Sequence, residues 1–162
     1  MTIPAPYENR PQIHLELVHT FPVPVSEGFE YITDTNNWAQ YWPGLVRIHD
    51  HARGRWREPG DTVTLVMRML AREVELTMTL EDFQKDVLVQ YTSRQQGLPD
   101  ARHERHFRAD STGFEYRLVV AFEPRKGVVG LFDRVFVKRA VRKALSETVE
   151  NLDRVFRQEC VA

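Results

Sequence analysis

From residue 13 the apolar positions alternate. In IHLELVHTF, Ile13, Leu15 and Leu17 take one face and His14, Glu16 and Val18 the other, which predicts a strand that Pro22 and Pro24 end. The spacing then changes. SEGFEYIT reads as a short helix with Ser26 as N-cap, Glu27 favourably placed in the first turn, and Phe29 and Ile32 sharing the buried side. Asp34 is expected to cap a second short helix that carries Trp38, Tyr41 and Trp42 and stops at Pro43 and Gly44.

Period two returns and holds through much of residues 61–122. Val63, Leu65, Met67 and Met69 share one parity; Val74, Leu76, Met78 and Leu80 form a second set. Val87, Val89 and Tyr91 form a third, and Phe114, Tyr116, Leu118, Val120 and Phe122 a fourth. Turn residues at Pro59 and Gly60, Lys85 and Asp86, 97–100 and 111–113 separate them, so the pattern predicts antiparallel strands with one apolar face. Residues 130–159 form a long proline-free helical segment. Val141, Leu145, Thr148, Leu152 and Val155 make its apolar stripe, with Lys143, Glu147, Glu150 and Asp153 mostly away from it. A curved sheet with one apolar face needs a cover, and this helix is the element long enough. The expected class is α+β: a curved antiparallel sheet wrapped around a long C-terminal helix, with two short helices after the first strand.

The start of that helix breaks the stripe. Phe132 precedes Val141 by nine residues, as Phe136 precedes Leu145. At roughly 100° per residue the members of each pair lie half a turn apart. Either the helix bends or restarts near Lys138, or Phe132, Val135 and Phe136 face something other than the inner stripe: a loop, a portal, a second subunit or a membrane surface.

Composition narrows the picture only in part. The chain has 162 residues, 42% apolar and 28% charged, with a formal net charge of −1. That suits one globular domain over residues 1–162, with 1–11 a loose leader containing Pro4, Pro6 and Pro11, and gives no argument for nucleic acid. Cys160 is the single cysteine, so no intramolecular disulfide forms, and its place near the end weakens it as a nucleophile. Without a signal-like or membrane-spanning run, a soluble cytoplasmic protein is expected. Locally, residues 125–143 carry Arg125, Lys126, Arg134, Lys138, Arg139, Arg142 and Lys143 against one acid, Asp133.

Three stretches together carry a resemblance: VPVSEGFEYITDTNNWAQYWPGL, the strand opening EPGDTVTLVMRML, and GLFDRVFVKRAVRKALSETVENLDRVF. The layout resembles the START/SRPBCC helix-grip superfamily, in particular its polyketide cyclase/dehydrase-like proteins, over about residues 12–159. The resemblance implies a cavity between sheet and long helix, and binding of lipids, isoprenoids, polyketides or other apolar molecules. It implies fold more strongly than reaction.

Against that background the aromatic cluster is either a plug or a lid; Trp38 suits the plug, Tyr41 and Trp42 an entrance. In PDARHERHFRAD, an inward Phe107 places Arg105 and His103 on the same face, with Arg102, Glu104, His106 and Arg108 outward. An interior Arg105 requires a carboxylate partner, a watery cavity or an anionic ligand group; otherwise these residues sit at an open, solvated end. Tyr91 and Tyr116 add hydroxyls to that interior, or simply pack. His49 and His51 have no third ligand at convincing spacing, His103 and His106 point to opposite faces, and HExxH and GxSxG are absent, so neither metal nor cofactor is expected.

The leading expectation is a binding or carrier protein for an apolar small molecule. Tyr41, Trp42, Met67, Met69, Met78, Tyr91, His103, Arg105, Phe107 and Tyr116 are the candidate ligand-binding residues. Phe132, Val135, Phe136 and Arg139 are the candidate portal or interface. One alternative is a cyclase, aromatase or dehydratase in which His103 is general acid/base and Arg105 or Tyr91 stabilises an enolate. The other is an interaction module with a vestigial cavity, docking through the patch of Phe132, Val135 and Phe136. Homodimerisation and transient contact with anionic lipid fit the same patch.

Overall fold

The structure is a computed structural model and describes residues 12–49 and 56–159. The leader, His51 and Cys160 lie outside the described residues. Seven antiparallel strands form one sheet in the order β1-β7-β6-β5-β4-β3-β2. They are β1 (Ile13–Phe21), β2 (Leu45–Ile48), β3 (Thr62–Met69), β4 (Arg72–Gln84), β5 (Leu88–Gln95), β6 (Ala101–Asp110) and β7 (Gly113–Phe122). Strands β3 to β7 pair consecutively, and β1 returns to lie along β7. Helices α1 (Val25–Thr33) and α2 (Trp38–Tyr41) connect the two edge strands β1 and β2.

Alternation decides which side of each strand is buried, and the expected sets face inward. Val87 is the exception: it lies in the turn before β5 and is 52% exposed. The pairing of β4 with β5 shifts between Leu80 and Asp82, leaving Glu81 as a bulge. The bulge moves the inward parity from Met78 and Leu80 to Phe83, which packs on Phe29, and bends the longest strand. Gly28 lets α1 lie directly on β7, since a Cβ there would stand 2.2 Å from the Phe114 ring.

Two capping expectations are corrected. Pro24, not Ser26, precedes the first turn of α1; Glu27 does occupy that turn. Asp34 does not cap α2. It ends α1 and folds back on the chain, its Oδ1 accepting from the backbone N–H and side-chain amide of Asn36. The carbonyls in the last turn of a helix lack intrahelical partners. Here the Ile32 carbonyl accepts from both the Trp38 indole (3.0 Å) and the Tyr41 hydroxyl (2.7 Å), which pins α2 under α1.

The C-terminal segment resolves the half-turn conflict in both expected ways at once. Helix α3 (Val128–Phe132) runs into a π turn (Asp133–Val137), and α4 (Lys138–Glu159) starts afresh at Lys138. The wider turn brings Val137 inward, four residues before Val141, so it extends the stripe of Leu145, Thr148 and Leu152. Phe132, Val135 and Phe136 stay 37%, 51% and 54% exposed. Asp133 is fully buried; its carboxylate accepts from the Arg125 backbone N–H at 2.8 Å and from Arg125 Nη2 at 2.6 Å. Arg125 Nη1 also donates to the Gly97 carbonyl at 2.6 Å, tying the helix start to the β5–β6 turn.

Candidate functional site

Side chains on the concave face of the sheet divide it in two. At one end Phe21, Phe29, Phe107, Phe114, Tyr116 and Phe156 form an aromatic plug, with ring centroids such as Phe29–Phe107 at 4.8 Å and Phe107–Tyr116 at 5.1 Å. Towards the other end the inward residues are smaller or more flexible, and α4 stands off the sheet. A cavity of about 380 Å³ opens there. Met67, Met69, Leu76 and Met78 form one wall, Leu118, Val120 and Phe122 another, and Val137 of the π turn with Val141 and Leu145 of α4 the roof. Trp42, Pro43, Gly44 and Leu70 stand at its margin with Leu98 and Pro99.

Of the expected ligand-binding residues, Trp42, Met67, Met69, Met78, Tyr91, His103 and Arg105 line the cavity. Phe107 and Tyr116 do not; they lie in the aromatic plug, because β6 and β7 run on past the cavity into the closed end. Tyr41 is likewise corrected from entrance to core: it is fully buried, fixed by its bond to Ile32, and its carbonyl accepts from Asn151 of α4 at 3.0 Å. Trp38 is core as expected, edge-on to Trp42 (5.0 Å) and Trp56 (5.6 Å).

Arg105 sits where plug meets cavity and is only 6% exposed. Its Nη2 donates to the Tyr91 hydroxyl at 2.8 Å and its Nη1 to the Tyr41 hydroxyl at 3.3 Å, while Nε has no acceptor among the described residues. Its guanidinium carbon lies 5.0 Å from the Trp42 ring centre and 5.2 Å from that of Tyr91. No carboxylate among the described residues pairs with it. Burial opposes its charge, but the surrounding tyrosine oxygens outweigh burial and the side chain stays cationic. Burial likewise raises the hydroxyls of Tyr41 (to about 12), Tyr91 and Tyr116, against the pull of Arg105, so all three stay protonated at neutral pH.

His103 stacks on Tyr91 at 4.5 Å, and its Nε2 lies 2.9 Å from Ser93 Oγ. Desolvation, then the charge of Arg105, lowers its pKa to about 3, which keeps the ring neutral. It is half-buried by area, but its free surface faces the cavity. His106 points outward to Glu104 at 2.9 Å, and His49 lies 3.4 Å from Glu75. Among the described residues no three His, Cys, Asp or Glu side chains converge on a metal-sized site.

Ser93, Gln95, Val137 of the π turn and Ala140 and Ala144 of α4 also line the cavity, although none was among the residues expected there. Ser93 had a signal, since it shares the inward parity of Tyr91. Val137 had none, because its direction depends on the π turn. The expected portal residues Phe132, Val135, Phe136 and Arg139 are exposed on the segment leading to and past Val137. No helix among the described residues is long and apolar enough to cross a membrane.

No curated protein matches the sequence. Solved structures do share its fold: a Chromobacterium violaceum protein has a TM-score of 0.70 at 13% identity, covering 88% of this chain and 96% of that one. Ara h 8.0201 has a TM-score of 0.69 at 16% identity, covering 91% and 99%. A Thermus thermophilus protein has a TM-score of 0.69 at 14% identity, covering 89% and 95%. The sequence itself matches the family described as polyketide cyclase / dehydrase and lipid transport over residues 12–157. With its curved seven-stranded sheet closed around α4, the chain therefore belongs to that family, within the START/SRPBCC helix-grip superfamily.

Proposed function

We propose that this protein binds and carries an apolar small molecule, of lipid, isoprenoid or polyketide-like type, between the sheet and α4. The observation that carries this reading is the cavity of about 380 Å³, with methionine and aliphatic walls and a small polar floor. Ligand pockets span about 300–1,000 Å³ and combine apolar walls with a few placed polar groups. Met67, Met69 and Met78 adapt their shape at little cost, which suits carriage of related molecules. Arg105, Tyr91 and His103 then orient the ligand's polar group.

The depressed pKa of His103 favours binding over acid–base catalysis. A general acid/base works best when its pKa lies near the operating pH, and a ring held neutral down to about 3 has no proton to give at pH 7. The exposed Phe132, Val135 and Phe136 give the carrier reading a point of exchange. Arg134, Lys138, Arg139 and Arg142 neighbour them in sequence, while Asp133, the one acid of the segment, is buried against Arg125. Exposed apolar residues on a segment rich in cations suit brief contact with anionic lipid, and Val137 leads from them into the cavity.

The test is solvent extraction of freshly purified protein followed by mass spectrometry, beside a Val141→Trp variant whose indole fills the cavity under the roof. A stoichiometric compound present in the first and lost in the second is expected. An empty extract, together with no melting shift on adding apolar probes, overturns the reading.

A further inference from the structure

We infer that the cavity is built for an amphipathic monocarboxylate, whose anionic group sits against Arg105 while its apolar body lies along the methionine wall. The inference rests on the cavity reading above and adds the charge of the ligand.

Arg105 carries an unbalanced charge. A buried ion is expensive to hold unless a counter-ion or a full set of hydrogen bonds compensates it. Arg105 has five N–H donors. The described residues supply two acceptors, both neutral hydroxyls, and leave Nε without any. A tyrosinate could have supplied the missing negative charge, but Tyr41, Tyr91 and Tyr116 all hold their protons, and the ring of His103 brings no charge of its own. The described protein therefore presents one uncompensated positive charge at the floor of an apolar cavity.

Hydrogen-bond direction shows where an anion is received. Tyr41 gives its proton to the Ile32 carbonyl and meets Arg105 with an oxygen lone pair, so it steadies the guanidinium without donating to a ligand. Tyr91 accepts from Arg105 and lines the cavity, and its own proton is not committed to an acceptor among the described residues. The remaining Nη hydrogens and the Tyr91 hydroxyl thus offer donors of the kind a carboxylate accepts. Trp42 over the guanidinium shields this meeting point from water, which strengthens the attraction. Arg68 and Lys143 also line the cavity but are paired with Glu73 and Glu147, so the one uncompensated cation, Arg105, selects a monoanion over a phosphate ester with two charges and repels an ammonium head.

Binding of decanoate, 1-decanol and decylammonium, followed by calorimetry, tests the charge at constant chain length. Wild-type protein is expected to bind decanoate at least tenfold more tightly than decanol, and decylammonium weakest. Carbonyl-labelled decanoate should titrate at lower pH when bound than when free. Arg105→Met should erase the preference while keeping decanol binding. Its empty form should melt no lower than wild type, because the substitution removes an uncompensated buried charge. Arg105→Lys, which keeps the charge, should retain the preference for the acid and serves if the methionine variant does not fold. Equal binding of decanoate and decanol by wild type overturns the inference but leaves the cavity reading standing. A preference that survives in Arg105→Met overturns it as well, by placing the anion elsewhere. Failure of all three probes to bind overturns the cavity reading and this inference together.

Discussion

Removing the Asp133 carboxylate should be among the most damaging single changes outside the apolar core. Asp133 is fully buried in the π turn, and its oxygens accept from Arg125 N at 2.8 Å, Nε at 3.0 Å and Nη2 at 2.6 Å. Breaking a buried ion pair by deleting one partner costs about 3–5 kcal/mol. The Arg125 side chain is 32% exposed and can rehydrate, so the expected loss for Asp133→Ala is smaller, about 2–3 kcal/mol. For a chain of this size that corresponds to a fall in Tm of roughly 4–12 °C. The hydrogen bonds from the Arg125 side chain, with help from its backbone N–H and charge, hold Asp133 below the usual carboxylate range although burial pushes the other way. A depressed folded pKa contributes stability that is present above the unfolded value of about 3.9 and is lost as pH falls through the folded value. Urea melts of wild type and Asp133→Asn from pH 7 downward should therefore show a gap that narrows below about pH 4. In a double-mutant cycle, Arg125→Ala should cost little more once Asp133 is gone. A gap under about 0.5 kcal/mol at pH 7, or one indifferent to pH, would refute the assignment of this pair as the anchor of the helix start.

Three further outcomes are expected. Leu70 and Ala71 form the two-residue turn between β3 and β4 with φ of 49° and 66°, so Ala71→Gly should stabilise the protein by about 0.5–1 kcal/mol in urea melts; a loss of stability would show that the turn is unstrained. His103 should show no NMR titration between pH 8 and 5. Because its folded pKa is depressed, the unfolded chain takes up that proton first, and its contribution to stability should decline as pH falls from about 6.5 towards about 3; a ring that titrates near 6.5 would contradict its enclosure. Phe136→Asp should abolish co-sedimentation with anionic vesicles while changing stability by less than about 0.5 kcal/mol; unchanged sedimentation would remove the proposed lipid contact.

Much of the architecture was legible because alternation and helical spacing are local signals. Strand faces follow directly from parity, so the inward placement of Met67, Met78, Tyr91, His103 and Arg105 could be read without any knowledge of packing. The nine-residue mismatch between Phe132 and Val141 likewise exposed the break in the C-terminal helix. Periodicity could not choose its form, since a bend, a restart and a π turn all repair the same phase error. Nor could it place Ser26 and Asp34, because caps depend on where backbone dihedrals change.

Only tertiary packing decided which part of the inward face is open. Phe107 and Arg105 share a parity and differ by one strand repeat, yet one enters the aromatic plug and the other borders the cavity. The plug side of that boundary is closed where Phe156 of α4 meets Phe21 at 5.2 Å and Phe114 at 6.2 Å, contacts between residues far apart in the chain. The partners of Arg105 were hidden for the same reason: Tyr91 and Tyr41 lie 14 and 64 residues from it in sequence. Sequence determined that an arginine must be accommodated inside; the fold decided that neutral hydroxyls, and no carboxylate among the described residues, would receive it.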